Sequence, residues 1–186
     1  MLISRQNLTI IIVCFKSENV IHNCIQSIDS SIKILIVDNS NNKEFKEKIE
    51  KQYNNVECIL SSSNLGMGSG NNLGIKEVST DFAFIINPDV ILEKNTLDEI
   101  IEASQLIESF SVIAPMSNDD KYLNFKRLNG DNNINDKNLP FKVKSVDGYA
   151  MLLNLKKLKN LKNFNFFDEN FFMYLENDDL CKRITE

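Results

Sequence analysis

Apolar residues in this chain fall in short unbroken runs that alternate with stretches of helical periodicity. Leu8-Thr9-Ile10-Ile11-Ile12-Val13-Cys14-Phe15 is β-branched and apolar on both faces, as a strand buried from both sides must be. Val20, Ile21, Cys24, Ile25 and Ile28 then recur at helical spacing, with Ser17 or Asn19 as candidate N-caps. Residues 32–37 form a second apolar strand closing on Asp38-Asn39-Ser40, and Phe45, Ile49 and Tyr53 mark one stripe of a charged surface helix. Residues 56–60 read as a third strand. Residues 64–74, rich in glycine and asparagine, read as a turn leading into a short helix through Val78. Residues 82–86 make a fourth strand, stopped by Pro88. Thr96-Leu97-Asp98-Glu99 has capping-box form and opens a helix with Leu97, Ile100, Ile101 and Ile107 as its stripe. Residues 111–114 read as another strand.

Strands alternating with helices imply crossover units, hence an α/β fold with a mostly parallel central sheet covered on both faces. Residues 117–142 break the rhythm: rich in Asn, Asp and Lys, they read as a flexible loop or flap. Order resumes at 143–146, Asp147-Gly148-Tyr149 and 150–155. At 186 residues, 1–186 reads as a single domain. The chain reaches Glu186 within an expected helix, so the domain is expected to lack its C-terminal part here.

Composition narrows the function classes. A net charge of −5 without a long basic run argues against a nucleic-acid surface. Cys14, Cys24, Cys58 and Cys181 are scattered without a CxxC pair, which fits buried free thiols in a reducing compartment. The one histidine, His22, excludes a three-histidine zinc site and reads as a surface or partly buried helix residue. No run approaches the ~18 apolar residues of a membrane span, and residues 8–15 are too short for a secretory signal.

Four segments carry candidate chemistry. Asp38, at the carboxyl end of a strand, is placed to accept hydrogen bonds from a nucleoside, although an Asx turn is the commoner use of Asp-Asn-Ser. Asn64-Leu65-Gly66-Met67-Gly68-Ser69-Gly70-Asn71-Asn72 has the look of a phosphate cradle without the ending of a P-loop; an ordinary glycine-rich connection fits equally well. Asn87-Pro88-Asp89 puts a carboxylate at a strand end, suited to Mg2+ or Mn2+ with diphosphate oxygens and water completing the shell; it also serves as a plain strand stop. Glu176-Asn177-Asp178-Asp179 follows an aromatic stretch (Phe166, Phe167, Phe171, Phe172, Tyr174) expected to press on it. A carboxylate against apolar rings suits a general base, whereas a solvated helix face is the common fate of a charge run. Asp179 lies i,i+4 from Arg183, the spacing of a structural pair.

In this order, Thr9–Lys16 with its Phe15, Ile36-Val37-Asp38-Asn39-Ser40, the 64–74 segment, Asn87-Pro88-Asp89, Val146-Asp147-Gly148 and Phe172-Met173-Tyr174-Leu175-Glu176-Asn177-Asp178-Asp179-Leu180-Cys181-Lys182-Arg183 resemble the family 2 glycosyltransferases of GT-A fold, particularly the rhamnosyltransferase-like branch. The resemblance implies a three-layer α/β/α sandwich and inverting transfer of a sugar from a UDP-, dTDP- or GDP-linked donor to a glycan or glycolipid hydroxyl. It implies that Phe15, Lys16, Asp38, Asn71, Asn72 and Asn87 lie at the donor, that Asp89 binds the metal, and that Gly148 and Asp179 line the acceptor side. Glu176 becomes the base, with Asp178 as stand-in. It further implies a role in cell-surface polysaccharide or glycolipid synthesis and a cytoplasmic location, extending to peripheral association with the inner face of the membrane.

Two positions depart from the family's pattern: Asn177 stands where a second acid is usual, and Asn87 where the metal motif usually begins with Asp. A truncated or inactive nucleotide-sugar-binding domain is therefore the alternative. A sugar nucleotidyltransferase ranks below both, because Phe15-Lys16-Ser17-Glu18 stands where that class needs a glycine-rich basic loop.

Overall fold

The computed structural model describes residues 2–117, 122–128, 139–161 and 164–185. A six-stranded sheet runs through its centre in the order β3-β2-β1-β4-β8-β5, formed by β1 (Leu8–Cys14), β2 (Lys33–Asp38), β3 (Val56–Leu60), β4 (Phe82–Ile86), β5 (Val112–Ile113) and β8 (Ala150–Asn154). Strands β1 to β4 are mutually parallel, and β8 enters antiparallel between β4 and β5. Ile12 sits opposite Ile36 on one side and Ile86 on the other.

The unbroken apolar runs are explained by what lies on either face. Strand residues alternate between two cores: Ile10, Ile12, Ile34, Ile36, Phe84 and Leu152 face one, whereas Ile11, Leu35, Ala83, Ile85, Met151 and Leu153 face the other. The first core is closed by α1 (Ile21–Gln26), α2 (Lys43–Gln52) and α4 (Thr96–Gln105), through Ile21, Cys24, Ile25, Phe45, Ile49, Leu97 and Ile100. The second is closed by α3 (Gly66–Glu77), α5 (Leu155–Lys159) and α6 (Glu176–Arg183), through Ile75, Leu155, Leu158, Leu180 and Cys181. The result is the expected α/β/α sandwich with a mostly parallel sheet.

A second, two-stranded antiparallel sheet pairs β6 (Phe125–Lys126) with β7 (Ser145–Val146) and buries Phe125 and Val146 in the second core. Its first strand lies inside the 117–142 stretch expected to be loop or flap; residues 118–121 and 129–138 of that stretch lie outside the described residues. Phe125 is buried there in the second core, and Asn124 beside it is buried with its amide satisfied, accepting from the Ser117 amide at 2.9 Å and donating to the Pro115 carbonyl at 2.8 Å.

Three local expectations are corrected. Neither Ser17 nor Asn19 caps α1: its N-cap is Val20, and the Ser17 hydroxyl is engaged with the backbone of Phe15. Thr96 is the first residue of α4, one place too late to cap it. Asn95 holds that position, and Asp98 reaches the guanidinium of Arg5 instead. Most of the glycine-rich segment is helix, and within it Gly70 and Gly74 sit where α3 presses on side chains of β1. A Cβ on Gly70 or Gly74 would meet Val13 or Ile11 at 2.8 Å.

Candidate active site

Strand order reverses direction between β1 and β4, and at that switch point the carboxyl ends of the strands part to leave a crevice. Its volume is about 340 Å3, and its walls include Phe15, Asn39, Asn64, Gly66, Asn87, Asp89 and Met173. A larger hollow of about 620 Å3 lies between α1 and α2, beside His22; none of the residues nominated from the sequence as site residues lines it.

Asp89 projects from the end of β4 past Pro88, is solvent-exposed, and is the one charged residue among those lining the crevice. Beside it Asn87 holds an amide oxygen that is buried and without a hydrogen-bond partner. Among the described residues no three His, Cys, Asp or Glu side chains are grouped so that they alone could hold a metal ion. A carboxylate and an orphaned amide oxygen are hard donors, and they fit Mg2+ or Mn2+ completing its shell from ligand oxygens and water. Phe15 lines the crevice, and Lys16 adopts a left-handed conformation (φ 56°) with its Nζ 5.4 Å from the centre of the Phe15 ring.

Asp38 and Asn72 do not reach this space. Asp38 is 1% exposed, and its carboxylate closes its own turn. Oδ1 accepts from the Ser40 amide at 3.0 Å and the Ser40 hydroxyl at 2.6 Å, and Oδ2 from the Asn42 amide at 2.7 Å. The carboxylate expected to meet a nucleoside is engaged here in the Asx turn, because nearby backbone donors reach it. The amide of Asn72 is likewise engaged, both ends bonded to the backbone of Phe167. Asn71 is buried in α3 with its Oδ1 unpartnered.

Asn39, which the sequence offers as part of a turn and of the Ile36–Ser40 stretch but not as a site residue, lines the crevice at 3% exposure. Its Nδ2 donates to the Gly66 carbonyl at 3.0 Å, which leaves its Oδ1 buried and unpartnered. Its position next to Asp38 at a strand end was the available signal.

The acidic cluster opens α6. Glu176 is the first helical residue, 9% exposed, with Oε2 buried and unpartnered. Of the aromatic wall expected around it, Phe167 is in the core and Phe166 and Phe171 are half-buried, but Phe172 and Tyr174 are exposed, the latter at 75%. Tyr174 and Leu175 both take left-handed backbone (φ 69° each), a turn whose apolar residues remain outside the core. The chain reaches this point across the start of α3, where the Met67 amide donates to the Phe172 carbonyl at 3.0 Å.

The other acids are occupied. Asp178 pairs with Lys126 of β6 at 2.6 Å. Burial pushes its carboxyl up, but hydrogen bonds from Lys126 and Ser145 and the charges of Lys126 and Lys144 outweigh that and hold it below the ordinary range. A carboxylate so held is a poor stand-in base. Asp179 pairs with Arg183 at 2.7 Å, and Arg183 also donates to the Asn165 and Phe166 carbonyls, so Asp179 is engaged as a structural strut. Gly148 follows β7; a Cβ there would meet Asn177 at 3.4 Å, so neither φ nor packing demands glycine.

Residues 9–162 match the family described as Glycosyl transferase family 2. The low-salt glycan biosynthesis hexosyltransferase Agl10 of Haloferax volcanii is 26% identical over 198 residues, covering 95% of this chain and 61% of that protein. The rhamnosyltransferase WbbL of Escherichia coli is 26% identical over 205 residues, covering 95% and 76%. Among solved structures, GalNAc-T7 with UDP, GalNAc and Mn2+ superimposes with a TM-score of 0.70 at 13% identity, covering 96% of this chain and 40% of that one. The chain thus spans about three fifths of the first relative's length, and the sandwich described above is the GT-A fold.

Proposed function

This chain belongs to glycosyl transferase family 2, and from that premise we propose that it moves a hexosyl or rhamnosyl unit from a nucleotide-diphosphate donor to an acceptor hydroxyl, inverting the anomeric carbon. The donor is a UDP-, dTDP- or GDP-linked sugar and the acceptor a glycan or glycolipid of cell-surface polysaccharide assembly. Among the described residues no helix is long and apolar enough to cross a membrane; the proposed place of action is the cytoplasmic side, at the inner face of the membrane.

The observation that carries this reading is the buried, unpartnered Oε2 of Glu176, on a helix reached by way of the crevice rim at Met173. Glu176 takes the acceptor's hydroxyl proton at that oxygen while the acceptor oxygen attacks the anomeric carbon. The carbon–oxygen bond to the diphosphate breaks, and the nucleoside diphosphate departs with the electron pair. Asp89 and the Asn87 Oδ1 would hold Mg2+ or Mn2+, which supplies neutralisation of the leaving diphosphate's charge. Phe15 and Lys16 border the nucleoside and Asn39 offers an acceptor to a donor group of the bound molecule. Gly148 leaves room for the acceptor beside α6.

The test is calorimetric binding of UDP, dTDP and GDP, each with Mn2+ and with EDTA, to wild type and Asp89→Ala. Metal-dependent binding of one nucleotide, lost in Asp89→Ala, is expected. Failure of all three to bind would overturn the proposal.

A further inference from the structure

We propose that Asn177 is a positioning residue whose amide donor, rather than an acid, is what the reaction centre needs at this place. The inference rests on Glu176 acting as the base. Asn177 Nδ2 donates to the backbone carbonyl of Val146 at 2.6 Å. A carbonyl only accepts, so the amide nitrogen must face it and the orientation of the side chain is fixed.

That bond is one of two consecutive ones. Asn177 holds Val146 of β7, and the next residue, Asp178, holds Lys126 of β6 at 2.6 Å. Val146 and Phe125 are cross-strand partners and both are buried, so the hairpin is a fixed body for α6 to be tied to. The Asn177 side chain also packs beside Gly148, the residue placed on the acceptor side.

The backbone before Glu176 needs such an anchor. Tyr174 and Leu175 are consecutive non-glycine residues in left-handed conformation, exposed, with little side-chain packing to hold them. Backbone of this kind persists only where its surroundings over-determine it. Leu175 is the N-cap of α6 and makes no side-chain cap bond, so the first turn, and with it Glu176, is held by side-chain ties: those at 177 and 178 to the hairpin, and Asp179 through Arg183 to the 165–166 backbone. A carboxylate at 177 would set two acceptor oxygens against the Val146 carbonyl. The favourable effect of negative charge at a helix N-terminus is small beside that opposition. The substitution that makes the pair Glu-Asp is thus expected to harm this protein.

The experiment measures kcat and acceptor KM of transfer, with nucleotide-diphosphate affinity by calorimetry, for wild type, Asn177→Asp and Asn177→Ala. Asn177→Asp is expected to lose at least tenfold in kcat with nucleotide affinity within twofold of wild type, and Asn177→Ala to fall between. A general loss of structure would move both quantities; this role moves only the first. Asn177→Asp transferring as fast as wild type or faster overturns the inference and points to an acid at 177 as the base. Should Asn177→Asp fail to fold, Asn177→Ala with wild-type kcat overturns it equally. Wild type that binds no nucleotide removes the proposed transfer activity and this inference together, whereas an active wild type with an unaffected Asn177→Asp removes this inference alone.

Discussion

Asn72 and Phe167, 95 positions apart, are bonded to each other in both directions: Nδ2 of Asn72 donates to the Phe167 carbonyl at 2.8 Å, and the Phe167 amide donates to Oδ1 at 3.0 Å. The pair imitates a rung of β-sheet using one side chain, and it fastens the segment entering α6 onto α3. Asn72→Ala leaves a buried amide and carbonyl unpaired and is expected to cost about 1–3 kcal/mol. Urea denaturation monitored by circular dichroism measures it; a loss indistinguishable from zero would show that water replaces both bonds.

Gly66 is the one glycine with positive φ (77°) among the described residues, and a Cβ there would overlap the Phe172 carbonyl oxygen. Gly66→Ala therefore combines left-handed strain of about 1–2 kcal/mol with a clash against backbone. The expected result is a lowered thermal midpoint together with faster proteolysis near Phe172. An unchanged midpoint would mean that the 171–175 turn moves aside freely.

Glu176→Gln preserves shape and removes the proton acceptor. The expected effect is a drop in kcat of about 10²–10⁴-fold with nucleotide affinity unchanged. Transfer at the wild-type rate would remove Glu176 from the mechanism.

Asp178 is held below the ordinary carboxylate range despite its burial, by Lys126 and Ser145. A folded-state value below the unfolded one stabilises the protein above the ordinary carboxylate range, and the contribution is lost as pH falls through the folded value. Lys126→Met is expected to lower stability at pH 7 by no more than about 1 kcal/mol, since the lysine is largely solvent-exposed. Denaturation curves of the two proteins should converge as pH falls through the folded-state value of Asp178; a gap that persists once the carboxyl is protonated would mean the lysine acts through packing.

All four cysteines are buried and free. Burial pushes the thiols of Cys24 and Cys58 up to about 12 and raises those of Cys14 and Cys181 as well. Thiolate is the reactive form, so a thiol reagent at pH 8 is expected to leave the native protein unmodified and label all four after unfolding in urea. Rapid labelling of one cysteine in the native state would reveal local opening at that site.

The sandwich was legible in the sequence because burial on both faces of a parallel sheet leaves its mark in every strand: the seven successive residues of β1, Leu8 to Cys14, are all buried, and all but Thr9 are apolar. The same signal located the crevice at the strand ends and Asp89 within it. Side-chain alliances between distant segments left no such mark. Nothing in the local pattern distinguishes an Asp38 that turns back on Ser40 and Asn42 from one that faces a ligand, since both suit a short acid at a strand end. Glycines packed against Val13 and Ile11 look like glycines around a phosphate, because each use requires only the absence of a side chain. The sequence by itself determined the layers, the strand-end carboxylate and the acidic start of the last helix, all set by local pattern and burial. Which acid stayed unpaired was decided only in three dimensions: Lys126 came to meet Asp178, Arg183 met Asp179, the Val146 carbonyl met Asn177, and Glu176 alone of the four kept a buried oxygen without a partner.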